Sequence, residues 1–326
     1  MSHKIITGLK PTGSSMHLGN LMGAVLPFGQ AAIGNDAAIF VADLHAVNTV
    51  KDGELLKKQT EELAVELLAI HGSNPDIIIF RESDIIHLPK MSFILQNVTP
   101  YSLMLRAHAF KDAEAKNSDI NMGTFNYPIL MTADILGYDV DAVPVGKDQL
   151  QHLEMSRDIA RNFNSTYKKE IFKEPEAMIV EALATLPGTD GRKMSKSYDN
   201  FIGVFDDEKT MKKRVMSIMT DSLGVDDIKN PDTCNVFALI NVFGTSDEVE
   251  TIRQKYLTPN IGFGYGHAKS ALLDILQRYL SGYREARENL LKHPEIVEEK
   301  LRLGAIEMNK RLDVKMQEVR EVVGVN

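Results

Sequence analysis

Short β-branched runs alternate with longer stretches of helical period through the first half of the chain. Residues 4–7, 37–42, 77–81 and 140–145 read as strands, and residues 20–33, 53–70 and 124–137 between them read as helices. This alternation predicts an α/β fold, a doubly wound parallel sheet covered by helices, in which ligands sit at the carboxyl ends of the strands. After residue 200 the pattern changes. Residues 206–219, 234–243, 247–256 and 266 to the end read as helices with polar connections, and no convincing strand is found among them. The sheet domain is expected over residues 1–192 and a smaller all-helical domain over 193–290. Residues 291–326 form a last helix expected to pack back on the first domain. The turn string Pro187, Gly188, Thr189, Asp190, Gly191 marks the junction.

Composition narrows the class. A chain of 326 residues with one cysteine, Cys234, holds no intramolecular disulfide, and no Cys/His cluster has the spacing of a structural metal site, so no structural metal is expected. Nowhere do ~18 apolar residues run together, and the N-terminal apolar run is too short for a signal peptide. No membrane association is expected, and a reduced, cytoplasmic setting fits best. The net charge of −8 excludes a protein that coats nucleic acid through phosphate neutralisation alone. It leaves room for a local basic face, for which Lys212, Lys213 and Arg214 are candidates; the same run also reads as a solvated helix surface. Met211, Met216 and Met219, at helical spacing, read as core, and Cys234 as a small buried residue.

Two strings carry chemistry. After the first strand comes Gly8-Leu9-Lys10-Pro11-Thr12-Gly13, followed by Met16-His17-Leu18-Gly19-Asn20 opening a helix. A glycine-rich turn feeding a helix N-terminus gathers free backbone N–H groups into an anion site, and His17 and Asn20 add donors. Such turns also arise for conformational reasons alone. Far along the chain stands Lys193-Met194-Ser195-Lys196-Ser197, preceded by Gly191. Two ammonium groups three residues apart on a glycine-hinged loop can neutralise the charge that grows on a leaving pyrophosphate.

The second string matches the K-M-S-K-S signature of class I aminoacyl-tRNA synthetases, and His17 to Asn20 resembles their H-I-G-H signature. Along nearly its whole length the chain resembles the bacterial tryptophanyl branch of that class, most clearly at residues 8–13, 127–136 and 143–152. The resemblance implies a tryptophan–tRNA ligase acting on L-tryptophan, ATP with Mg2+ and tRNA(Trp), and working as a homodimer. It assigns catalysis to His17, Asn20, Lys193 and Lys196. ATP would be held by Lys10, Pro11, Thr12, His17, Gly19, Asn20, Gly146, Lys147, Asp148, Gln149, Leu183, Lys193, Met194, Ser195, Lys196 and Ser197. Tryptophan would be held by His45, Tyr127, Met131, Asp134 and Gln149, with Asp134 accepting the indole N–H. Residues 1–192 then form the catalytic nucleotide-binding domain and 193–290 the anticodon reader. The chain departs from the family pattern in two places: Lys10 stands where glutamine is common, with an extra residue between Gly13 and His17, and Ala113 stands where a lysine is common. A tyrosyl enzyme, a nucleotidyltransferase of similar fold and a paralogue that binds nucleotide or RNA without aminoacylating are the rival readings.

Overall fold

Five parallel strands make one sheet in the order β3-β2-β1-β4-β5. They are β1 (Lys4–Leu9), β2 (Asp36–Val41), β3 (Ile77–Arg81), β4 (Ala142–Val145) and β5 (Glu176–Ile179). The structure is a computed structural model, and it describes the chain except residues 1, 12, 14, 108, 109, 112, 113, 115–119, 146–149, 180–184 and 326. Pairing is regular, with Ile5 opposite Ala37 and Ala37 opposite Ile77. From Ala37 to Val41 every residue of β2 is buried, as expected where helices cover both faces of a parallel sheet. The strand order reverses between β1 and β4, which places a ligand crevice at their carboxyl ends. The fifth strand was not anticipated: its sequence, Glu-Ala-Met-Ile, is four residues long and carries no clear period.

The chain forms two compact units. The first comprises Met1–Thr12, Phe28–Glu181 and His293–Asn326. Around its sheet lie α1 (Gly53–His71), α2 (Leu88–Gln96), α3 (Met122–Leu136) and α4 (Leu150–Tyr167). Local signals start two of them: the Asp52 carboxylate accepts the Leu55 N–H at 3.1 Å, and the Asn121 side chain accepts that of Thr124 at 3.0 Å. One hydrophobic cluster joins sheet and helices, with Ile6, Phe40, Phe80, Ile135, Phe163 and Leu312 among its members. Leu312 comes from the final helix, Pro294–Val323, whose Gly304 lies on β3 so closely that a Cβ there would meet the Ile79 carbonyl oxygen at 2.1 Å.

The second unit comprises Gly13–Pro27 and Ala182–Lys292. Its longer helices are α5 (Glu208–Met216), α6 (Asn235–Phe243), α7 (Ser246–Leu257) and α8 (Tyr265–Lys292), and the final helix of the chain is α9. No strand longer than an isolated bridge occurs among its described residues. A capping box between Thr245 and Glu248 opens α7. The chain breaks between α8 and α9 at His293, which precedes Pro294 and leaves the helical region at φ −130°, ψ 63°. Met211 is fully buried and Cys234 is buried against the Tyr256 hydroxyl. Met219 corrects the sequence reading: α5 ends at Met216, the helical spacing no longer applies, and the side chain is exposed.

Candidate active site

In the first unit, α3 presents Tyr127, Met131 and Asp134 at spacings of four and three residues, which places them on one face. Asp134 and His45 are buried, Met131 is half-buried, and His45 Nε2 lies 3.2 Å from Asp134 Oδ2. The imidazole edge meets the Tyr127 ring at 5.9 Å, the Tyr127 hydroxyl is 2.5 Å from His152 Nε2, and the Lys10 ammonium sits 5.5 Å from the centroid of the same ring. Four of the residues assigned to the amino acid or to ATP by resemblance, His45, Tyr127, Asp134 and Lys10, are thus gathered at one place. Met131 lies one turn from Asp134 on the same helix.

A residue that sequence reasoning missed completes this cluster. Glu82, just past the end of β3, is 0% exposed. Its Oε2 accepts the His45 backbone N–H at 3.3 Å, and its Oε1 lies 3.6 Å from His45 Nε2. A carboxylate at the carboxyl end of a strand in a doubly wound sheet was the available signal. Burial pushes Glu82 up to about 8, reinforced by the Asp134 charge. Burial and then the charge of Asp43 hold Asp134 well above the carboxylate range, and burial lowers His45. At neutral pH the cluster therefore retains a carboxyl proton. The buried atoms Asp134 Oδ1, Glu82 Oε1 and His45 Nδ1 have no hydrogen-bond partner among the described residues. An unpaired acceptor in such a place is costly unless a ligand donor completes it. His45, Glu82 and Asp134 also offer ligand-type atoms within 4.8 Å of one another, a spacing compatible with a divalent ion. The existing His45–Asp134 contact and the aromatic neighbours suit a hydrogen-bonded organic ligand.

In the second unit, His17 caps the turn Leu18–Asn20, its Nδ1 accepting the Asn20 N–H at 3.2 Å. Burial, together with the nearby charge of Lys196, lowers His17 to about 4, so the ring is neutral at pH 7. With Nδ1 acting as acceptor, the ring proton resides on Nε2, ready for donation. Gly19 allows this packing, since a Cβ there would stand 2.9 Å from His17 Nδ1. Gly13, at φ +79°, has the Lys196 side chain alongside, within 3.4 Å of where its Cβ would be. The structure thus brings both signatures to one place.

The loop holding Lys193 to Ser197 is shaped by Asn200, which is 1% exposed and was read in the sequence only as a boundary. Its Oδ1 accepts the Ser195 N–H at 2.8 Å, and its Nδ2 donates to Asp190 Oδ1 at 2.7 Å and to the Lys193 carbonyl at 3.2 Å. No sequence pattern marks such a hub. Met194 is buried, Ser195 and Lys196 are half-buried, and Lys193 and Ser197 are exposed. Pro11 is buried at the end of the turn that follows β1. The expected contacts of Thr12, Gly146, Lys147, Asp148, Gln149 and Leu183, and the departure at Ala113, lie outside the described residues.

Residues 2–281 match the family model described as tRNA synthetases class I (W and Y). The tryptophan–tRNA ligase of Fusobacterium nucleatum is 40% identical over 98% of this chain and 97% of its own length, and that of Campylobacter jejuni is 39% identical over 99% and 100%. Among solved structures, the Campylobacter jejuni tryptophanyl-tRNA synthetase complexed with ADP and tryptophan superposes with a TM-score of 0.94. It is 38% identical and is covered in full by 99% of this chain. The Mycoplasma pneumoniae tryptophanyl-tRNA synthetase, at 24% identity and a TM-score of 0.79, supports the fold alone. Identity at this level over almost every residue leaves one assignment: the chain belongs to the class I tRNA synthetases for tryptophan and tyrosine, and within them to the tryptophan–tRNA ligases.

Proposed function

We propose that the chain activates L-tryptophan with ATP and transfers it to the 3′ end of tRNA(Trp). The observation that carries this reading is the buried Asp134 Oδ1, an acceptor without a donor among the described residues, beside the rings of His45 and Tyr127. The indole N–H is a donor with no acceptor function and fits it. His45 and Met131 would line the pocket, with Tyr127 and Gln149 at the α-amino group. ATP, as its Mg2+ complex, is the nucleotide substrate, held by Lys10, Pro11, Thr12, Gly19, Gly146, Lys147, Asp148, Leu183 and the Lys193 to Ser197 loop.

The first step needs no protein nucleophile. A tryptophan carboxylate oxygen bonds to the α-phosphorus of ATP, the bond from that phosphorus to the β-bridging oxygen breaks, and pyrophosphate leaves. The chain contributes placement and charge: His17 Nε2–H and Asn20 donate to phosphate oxygens, while Lys193 and Lys196 neutralise the departing pyrophosphate. In the second step a ribose hydroxyl of the tRNA bonds to the activated carbonyl carbon, AMP departs, and the hydroxyl proton passes to a phosphate oxygen or water. Residues 193–290 would read the anticodon, with exposed Lys212 and Lys213 on α5 as the favoured contacts. Among the described residues no helix is long and apolar enough to cross a membrane; a cytoplasmic site of action is part of the proposal. A homodimer completes the reading; the exposed Phe93, Tyr101 and Met122 supply apolar surface for a second copy.

The chain contains no tryptophan, so a bound substrate supplies the one indole in the complex. L-tryptophan titrated into the protein should shift its emission to the blue and saturate, and ATP–pyrophosphate exchange should depend on tryptophan and not on tyrosine. Tyrosine-dependent exchange would install the tyrosyl reading, and no exchange with either amino acid would install a non-aminoacylating paralogue.

A further inference from the structure

Arg214 belongs by sequence to a basic helical face, yet its guanidinium is turned inward while Lys209, Lys212 and Lys213 remain exposed. Its Nη1 donates to the Asp199 carbonyl oxygen at 2.6 Å and its Nη2 to Asp199 Oδ1 at 2.7 Å. Asp199 terminates the turn Lys196–Tyr198, its N–H donating to the Lys196 carbonyl at 3.1 Å, in the left-handed region at φ 49°, ψ 29°. That conformation is unfavourable for a residue with a side chain and needs support from its surroundings. The same guanidinium lies 4.7 Å from the centroid of Phe201, whose ring is 5.9 Å from that of His17. Strand-like bonds flank this contact: the Leu18 N–H donates to the Ile202 carbonyl at 2.9 Å, and the Val204 N–H to that of Met16 at 2.8 Å. One planar cation thus touches the end of the turn bearing Lys196 and, through one ring, the histidine of the other signature.

We propose that Arg214 is a positioning residue for ATP activation: its fork on Asp199 and its stacking on Phe201 hold Lys196 and His17 in a common geometry. The Asp199 carboxylate is 80% exposed, so its charge pairing with Arg214 is screened. The holding force resides chiefly in the bond to the backbone carbonyl and in the contact with the ring. Planarity is essential to both, which separates arginine from lysine at this position. The proposal rests on the reading that the Lys193 to Ser197 loop serves ATP.

The test uses the full chain and ATP–pyrophosphate exchange, with tryptophan binding followed by its fluorescence and folding followed by thermal denaturation. An inactive parent protein would remove the ATP reading itself. With an active parent, Arg214→Ala should lower the kcat of exchange about 10- to 100-fold, the size of effect that misplacement of reacting groups produces. The KM and affinity for tryptophan should stay within about twofold of the parent. Arg214→Lys should recover only part of the loss, and Phe201→Leu should add little once Arg214→Ala is present. Parental kcat in Arg214→Ala overturns the proposal. So does a loss of kcat matched by an equal loss of folded protein or of tryptophan affinity. If Arg214→Ala does not fold, Arg214→Lys decides: parental kcat in that variant overturns the proposal, and reduced kcat with intact tryptophan binding sustains it.

Discussion

Glu82→Gln should remove a pH dependence of stability that the parent chain carries. Glu82 is fully buried, faces His45 and Asp134, and lies in a field shared with Asp43; Lys10 also acts on it. Its ordinary value of 4.5 rises to about 8 in the folded chain, burial being the main cause. Between those two values the folded state keeps a proton that the unfolded state has released. The stabilisation is complete below pH 4.5 and is lost progressively as pH rises toward about 8. At about 1.36 kcal/mol per pH unit, the ceiling on that loss is roughly 5 kcal/mol. His45 acts in the opposite sense, because burial lowers it: its contribution is present above the ordinary value of 6.5 and is lost as pH falls. Asp134 is raised like Glu82 and adds to the same decline with pH. Glutamine copies the shape and neutrality of the protonated acid, so the difference between parent and variant isolates Glu82. Urea unfolding of both proteins at half-unit steps from pH 5 to 9 should show the parent losing stability faster, with the gap widening in favour of the variant up to pH 8. Parallel curves across that range would refute the buried, protonated carboxyl. A variant that is less stable at every pH would show that the Glu82 oxygens are needed as acceptors.

Asp134→Ala should raise the tryptophan KM and relax rejection of phenylalanine by roughly tenfold or more, because no buried acceptor then penalises a ring without an N–H. Unchanged discrimination in exchange assays would remove Asp134 from the indole. Lys196→Ala should lower the kcat of exchange about 100-fold while tryptophan fluorescence titrations stay near the parental curve; equal losses in both would make it a structural lysine. Gly19→Ala places a Cβ 2.9 Å from His17 Nδ1. Exchange should fall about tenfold as the ring is displaced, with melting temperature moving little. Gly304→Ala drives a Cβ to 2.1 Å from the Ile79 carbonyl oxygen, in rigid backbone. Urea unfolding should show a loss of about 1–3 kcal/mol or more, and a neutral result would mean that α9 shifts freely on β3.

Four of the five strands, the helix Gly53–His71 and the helical character of residues beyond 200 were legible because each depends on a local period or a local cap, such as Asp52. The signatures at His17 and Lys193 are contiguous strings, and Tyr127, Met131 and Asp134 lie on one helix, so they too could be read along the chain. The sequence by itself thus determined the fold class and the family, and it named site residues of which His45, Tyr127, Asp134 and Lys10 lie together in space. Tertiary structure decided how those residues are held. Glu82 meets His45 across 37 positions, and His45 meets Asp134 across 89. Burial, proton sharing and an unpaired acceptor arise from such distant contacts and leave no periodic trace. Arg214 illustrates the same limit. Its neighbours in sequence assign it to a solvated basic face, whereas its neighbours in space, Asp199 and Phe201, draw it inward. Charge pattern records which residues are cations; only the packing of helix against loop sets which partner each cation finds.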